Sequence, residues 1–124
     1  MGSDFNSDER SLLAGLCAAM VGVGDFLSLP QLICLLTVAA EPGLSVNDLA
    51  ARISVPQQSA SRYVAALLGR YQSVVDRGPI EPLIRQEVSS DDPRKRALYI
   101  NEAGYDLLAR MLESSSSNKS MRRT

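Results

Sequence analysis

Two clusters of side chains in this sequence have the types and spacing for contact with nucleic acid. The first is Gln57, Gln58, Ser59, Ser61 and Arg62, all within 57–62. Glutamine can pair with adenine, arginine with guanine, and hydroxyls with phosphate oxygens, so these residues are candidates for reading bases or fixing the backbone, with Arg62 first among them. The second is the run Asp92-Pro93-Arg94-Lys95-Arg96, a dense group of cations on a turn. Such cations suit phosphates in or beside the minor groove. Asp91 and Asp92 leave two outcomes open, since either can hold a neighbouring arginine in a fixed pose or cancel the positive field. The plainer reading of both clusters is solvation, of a helix face in one case and of a turn in the other.

A helix and a hairpin must position these residues, and the spacing predicts both. From about Gln57, residues Ala60, Val64, Leu67, Leu68 and Tyr71 fall on one side of a helix, leaving Gln58, Arg62, Ala65 and Gly69 on the other. Before it, Ser45 with Asp48 opens a short helix through Leu49 to Ile53, and Ser54-Val55-Pro56 reads as a tight turn. After it, Gly78-Pro79 and Pro82 mark a loop. Ile84, Gln86 and Val88 then alternate with Arg85 and Glu87 as in a strand, and Arg96 to Ile100 is the returning strand.

The remaining elements flank this core. Asn6 with Glu9 forms a capping box for a first helix near Ser7, whose Leu12, Leu13, Leu16, Cys17 and Met20 make one apolar stripe. Ser28 with Gln31 opens a second helix, with Leu32, Leu35, Leu36 and Ala39 as its expected buried face. Asn101 caps a last helix with Leu107, Leu108, Met111 and Leu112 in its stripe. The expected organisation is a flexible N-terminus over 1–6, a winged helix-turn-helix domain with flanking dimerisation helices over 7–113, and a disordered polar tail over 114–124. The fold class is mainly α with a small β-hairpin.

Composition narrows the function. With 45% apolar and 22% charged residues the chain reads as a folded globular protein. No apolar run approaches membrane-spanning length and the N-terminus lacks a secretory pattern, so a cytoplasmic protein is expected. Cys17 and Cys34, without any histidine, make a poor metal site, and no cofactor is expected. Cys17 lacks a nearby activating cation within its helix, which favours a buried structural role over redox sensing. The net charge of −1 argues mildly against nucleic acid, but residues 1–50 hold Arg10 against six acidic residues, whereas 51–124 hold twelve basic against eight acidic ones. The absence of histidine, of a phosphate loop and of a nucleophile with an evident base argues against an enzyme.

From about Leu27 to Met111 the chain resembles the MarR family of bacterial transcription regulators. The resemblance is carried by Leu29-Pro30-Gln31, Glu41-Pro42-Gly43-Leu44-Ser45-Val46, Leu49-Ala50-Ala51-Arg52, Ser61-Arg62, Asp92-Pro93-Arg94-Lys95-Arg96 and Asn101-Glu102-Ala103-Gly104. It implies a homodimer on a pseudo-palindromic operator, with Asp92, Arg94 and Arg96 near the wing contact, and, as in many relatives, repression of neighbouring genes relieved by a small-molecule effector. Three departures stand out. Pro56 replaces a common Ser or Thr cap, the link from Tyr71 to Pro82 is long, and the chain ends soon after one C-terminal helix, which leaves dimerisation to the N- and C-terminal helices. The expected function is a sequence-specific double-stranded DNA-binding repressor. The alternative is a winged-helix protein-binding module, an anti-activator or adaptor without operator binding, which the fold alone does not exclude.

Overall fold

The computed structural model describes residues 4–24, 27–70 and 81–123, with 115–123 by backbone alone. The element order is α1 (Ser7–Val23), α2 (Leu29–Ala40), α3 (Val46–Ile53), α4 (Gln57–Leu67), β1 (Ile84–Val88), β2 (Arg96–Ile100) and α5 (Glu102–Arg123). The chain divides into two compact units, one of Met1–Asp25 with Asp106–Thr124 and one of Phe26–Tyr105. The architecture is the expected one, mainly α with one antiparallel hairpin.

Reciprocal capping starts the first three helices. Asn6, Ser28 and Ser45 each accept a hydrogen bond from the backbone N–H three residues on, and Glu9, Gln31 and Asp48 return the bond to the cap's own N–H. Each box satisfies donors that a helix start otherwise leaves open.

In the second unit α2, α3 and α4 close over one core. Leu32, Leu35, Val38, Leu49, Val64 and Leu67 are buried in it, and the hairpin adds Ile84 and Leu98. Each such side chain contributes about 1.5–3 kcal/mol on leaving water. The buried face of α2 differs from the expected one. Leu36 is exposed and Ala39 half-buried, while Cys34 and Val38 are buried instead. Nearly every position of α2 is apolar, so the sequence offers neighbouring stripes and periodicity does not select between them.

The hairpin pairs Ile84 with Ile100, Gln86 with Leu98 and Val88 with Arg96. It is fastened to the chain between α2 and α3, because the N–H of Gly43 donates to the Leu98 carbonyl at 2.9 Å and the N–H of Leu98 donates to the Leu44 carbonyl at 2.9 Å. Gly43 stands at φ 98°, a conformation that glycine adopts without strain. The turn between α3 and α4 is closed by Ser54 in the left-handed region, φ 58°, with the Val55 N–H donating to the Ala50 carbonyl. After α4, the Leu83 N–H donates to the Leu67 carbonyl at 2.8 Å, which ties the start of the hairpin to the end of that helix. Most of the long link from Tyr71 to Pro82 lies outside the described residues.

In the first unit, α1 buries Gly15, Ala19 and Val23, and α5 buries Leu107. The stripe of Leu12, Leu13, Leu16 and Met20 is exposed, and so is Cys17, where the sequence favours a buried thiol. Helical spacing identifies an apolar face but not what covers it. The backbone of 114–123 is helical where a disordered polar tail is expected. Once a helix is nucleated, each further residue adds a backbone hydrogen bond, against which serine's lower propensity costs only about 0.5 kcal/mol. Among the described residues no helix is long and apolar enough to cross a membrane.

Candidate nucleic-acid interface

The leading edge of α4 carries the first cluster. Gln57, Gln58, Ser61 and Arg62 are exposed, Ser59 is half-buried, and with Pro56 all of them line one open groove. Ala60 and Val64 anchor the opposite face in the core, so the helix cannot roll these side chains inward without exposing its own apolar surface. Pro56 occupies the N-cap position in an extended conformation and offers no side-chain hydrogen bond. The first helical bond runs from the Ala60 N–H to the Pro56 carbonyl at 3.1 Å. The N–H groups ahead of it lie at the positive end of the helix dipole, on the surface that Gln57 and Gln58 share.

The second cluster forms the tip of the hairpin. Asp92 organises its backbone, with one carboxylate oxygen accepting from the Arg94 N–H at 3.0 Å and the Asp92 carbonyl accepting from the Lys95 N–H at 2.9 Å. The Lys95 carbonyl in turn accepts from the Ser89 N–H at 2.9 Å, and the Ser89 hydroxyl accepts from the Asp91 N–H at 3.2 Å. Asp92 therefore shapes the turn through backbone donors, and among the described residues its carboxylate pairs with no arginine side chain.

The three cations at the tip do not behave alike. Lys95 Nζ lies 3.5 Å from Asp48 Oδ2 at the start of α3. Arg94 and Arg96 are exposed and, among the described residues, make no side-chain hydrogen bond or ion pair, and the same holds for Arg62. By contrast Arg52 pairs with Glu41 at 2.9 Å, Arg70 donates to Gln86 at 3.3 Å, and Arg85 pairs with Glu87 while lying over the Tyr99 ring. Among the described residues, the recognition helix and the wing thus carry three exposed cations without a side-chain partner, Arg62, Arg94 and Arg96. Ser45 holds the Asp48 carboxyl below the ordinary carboxylate range, first through its backbone N–H and then through its side chain, and Lys95 adds to this.

Sequence reading did not find the role of Asp48 at the wing. Asp48 is legible as a capping residue of α3, but its proximity to Lys95 arises only when the hairpin folds back, and no local pattern records it.

A short helix, a tight turn, a second helix with a polar leading edge and a hairpin with a basic tip together form a winged helix-turn-helix. The MarR family model matches residues 27–70, from the approach to α2 to the end of the α4 turn. Over those residues the chain is similar to the MarR family. Solved structures of similar fold extend the likeness to almost the whole chain. RV1404 from Mycobacterium tuberculosis is 17% identical, with a TM-score of 0.69, covering 93% of this chain and 71% of its own. The transcriptional repressor CouR, bound to a 23-mer DNA duplex, is 22% identical, with a TM-score of 0.60 and coverages of 95% and 73%. The PcaV transcriptional regulator from Streptomyces coelicolor, in complex with its natural ligand, is 21% identical, with a TM-score of 0.52 and coverages of 74% and 62%. At these identities the likeness is one of fold. No curated protein matches the chain in sequence.

Proposed function

We propose that this chain is a MarR-like, sequence-specific double-stranded DNA-binding transcription regulator, a repressor acting as a homodimer. The observation that carries the reading is that Arg62 on α4 and Arg94 and Arg96 on the hairpin, all within one compact unit, are exposed and without a side-chain partner among the described residues. A helix of this size enters the major groove with its first turns against base edges, while a basic hairpin reaches phosphates beside the minor groove. In this arrangement Gln57, Gln58 and Arg62 read bases, Ser59 and Ser61 position the helix on the backbone, and Arg94 and Arg96 bind phosphate. Asp92 serves the wing by fixing the turn that presents them. CouR, which shares the fold, is a repressor seen on DNA, and that supports the assignment.

The homodimer is supported by the exposed apolar stripe of α1, Leu12, Leu13, Leu16 and Met20, and by exposed Leu112 on α5. A contiguous apolar face of this kind on a folded protein marks an interaction surface. Two copies joined there would present paired recognition helices, which is why the expected target is a pseudo-palindrome. A small-molecule effector completes the reading, with ligand-bound PcaV as its support.

Selection from a random duplex pool, followed by sequencing, tests the function. The expected result is an enriched pseudo-palindrome with half-sites about one helical turn apart. A pool recovered without enrichment at any position would exclude sequence-specific binding and favour a protein-binding role.

A further inference from the structure

Lys95 is the cation at the centre of the wing tip, and its half-exposed side chain reaches across to the start of α3. Its backbone is held on both sides, by the N–H bond to Asp92 and by the carbonyl's bond from Ser89, while its ammonium reaches Asp48 Oδ2. That same carboxylate oxygen accepts from the Ser45 N–H at 3.1 Å, and the Ser45 hydroxyl accepts from the Asp48 N–H at 3.1 Å. The acceptor for Lys95 is therefore fixed by the capping box of α3, which opens the helix-turn-helix. Arg94 and Arg96, the residues on either side, have no such acceptor among the described residues. Arg52, itself paired with Glu41 at 2.9 Å, also lies within electrostatic reach of Asp48.

We infer that Asp48 is a positioning residue for DNA binding, which withholds Lys95 from phosphate and sets the wing against α3 so that Arg94 and Arg96 alone make the wing's phosphate contacts. The inference rests on the proposed DNA-binding function and adds to it a built-in brake on non-specific affinity. Non-specific binding comes almost entirely from cations that displace counterions from the phosphate backbone. A wing that spends one of its three cations on its own scaffold binds random sequence less tightly. It also gains a defined pose relative to the recognition helix, so selectivity is obtained partly at the cost of raw affinity.

The test is a double-mutant cycle of Asp48→Asn and Lys95→Gln, read as the slope of log affinity against log salt on a random-sequence duplex. Asparagine keeps an oxygen for the Ser45 N–H, so the cap of α3 is retained while the charge is lost, and circular dichroism verifies the fold of each variant. Releasing Lys95 to one phosphate steepens the slope by about 0.9 per protomer and raises affinity at 0.1 M salt up to roughly eightfold. The expected pattern is a steeper slope for D48N, an unchanged slope for K95Q, and a double variant that matches the wild type. A shallower slope for K95Q would show that Lys95 already contacts phosphate and would overturn the inference. An equal gain from D48N with and without Lys95 would also overturn it, because Asp48 would then act only through its general field. If the wild-type protein binds no DNA at low salt, the DNA-binding reading itself fails and the inference falls with it.

Discussion

The carbonyl oxygen of Leu83 lies where a side chain on Gly104 would have to begin. The first turn of α5 thus meets the strand entry backbone to backbone, and Asn101 locks the junction by donating to the Pro82 carbonyl at 2.8 Å and accepting from the Gly104 N–H at 2.8 Å. A methyl group at 104 would also crowd the Ile100 side chain. Gly104→Ala is expected to destabilise the domain by about 1–3 kcal/mol, as overpacking against a fixed backbone does. Urea unfolding followed by circular dichroism measures it, and an unchanged midpoint would show that α5 can shift without cost.

The carboxyl of Asp48 titrates below its ordinary range in the folded protein. A depressed folded pKa means that its stabilisation is present above the unfolded pKa and is lost as pH falls through the folded value. Because the group is partly exposed to solvent, the effect is modest. Between about pH 5 and pH 2 the wild type is expected to lose more stability than D48N, and parallel loss in the two proteins would remove Asp48 from the account.

Burial raises the Cys34 thiol to about 11, so it stays protonated and enclosed at neutral pH. In a Cys17→Ser variant, a thiol reagent is expected to label Cys34 only after denaturation, since both a low thiolate fraction and burial oppose attack. Rapid labelling of the native variant would show that the α2 core opens readily.

Much of this domain was legible from local patterns. Three capping boxes, at Asn6, Ser28 and Ser45, announced three helix starts, and the alternation from Ile84 to Val88 announced the hairpin. The polar face from Gln57 to Arg62 was visible because Ala60 and Val64 define the opposite side. What was not legible depends on partners distant in sequence. The choice of Cys34 and Val38 over Leu36 as buried residues is made by the helices packed on α2. The contact of Lys95 with Asp48 forms only when the hairpin folds back on α3, and the exposure of Leu16 reflects the lack of a covering surface within its own unit. Composition weighs the serine run of 114–117 by itself, without the helix whose backbone leads into it.

That exposed stripe carries the prediction for assembly. Leu16→Asp would place a charge in the centre of the proposed dimer face, where an unpaired buried ion is costly. Light scattering is expected to show a dimer for the wild type and a monomer for the variant, with helical content retained. A wild-type monomer at micromolar concentration would place the stripe in another interaction.

Arg62→Ala is expected to cost about 1–3 kcal/mol on the selected site and to relax preference at one base position per half-site. Replacing Arg94 and Arg96 together with glutamine should weaken binding to all sequences alike and flatten the salt dependence by about 0.9 per lost phosphate contact. Binding to arrays of single-base variants separates the two effects, and a wing variant that altered base preference would contradict the division of labour between helix and hairpin.

The most direct measurement is the affinity of the purified protein for DNA from upstream of its own coding sequence and for random duplex, across a salt series. The account predicts tighter binding to one sequence than to the other, with log affinity falling steeply as log salt rises on both. Absence of binding to either duplex at low salt would contradict it.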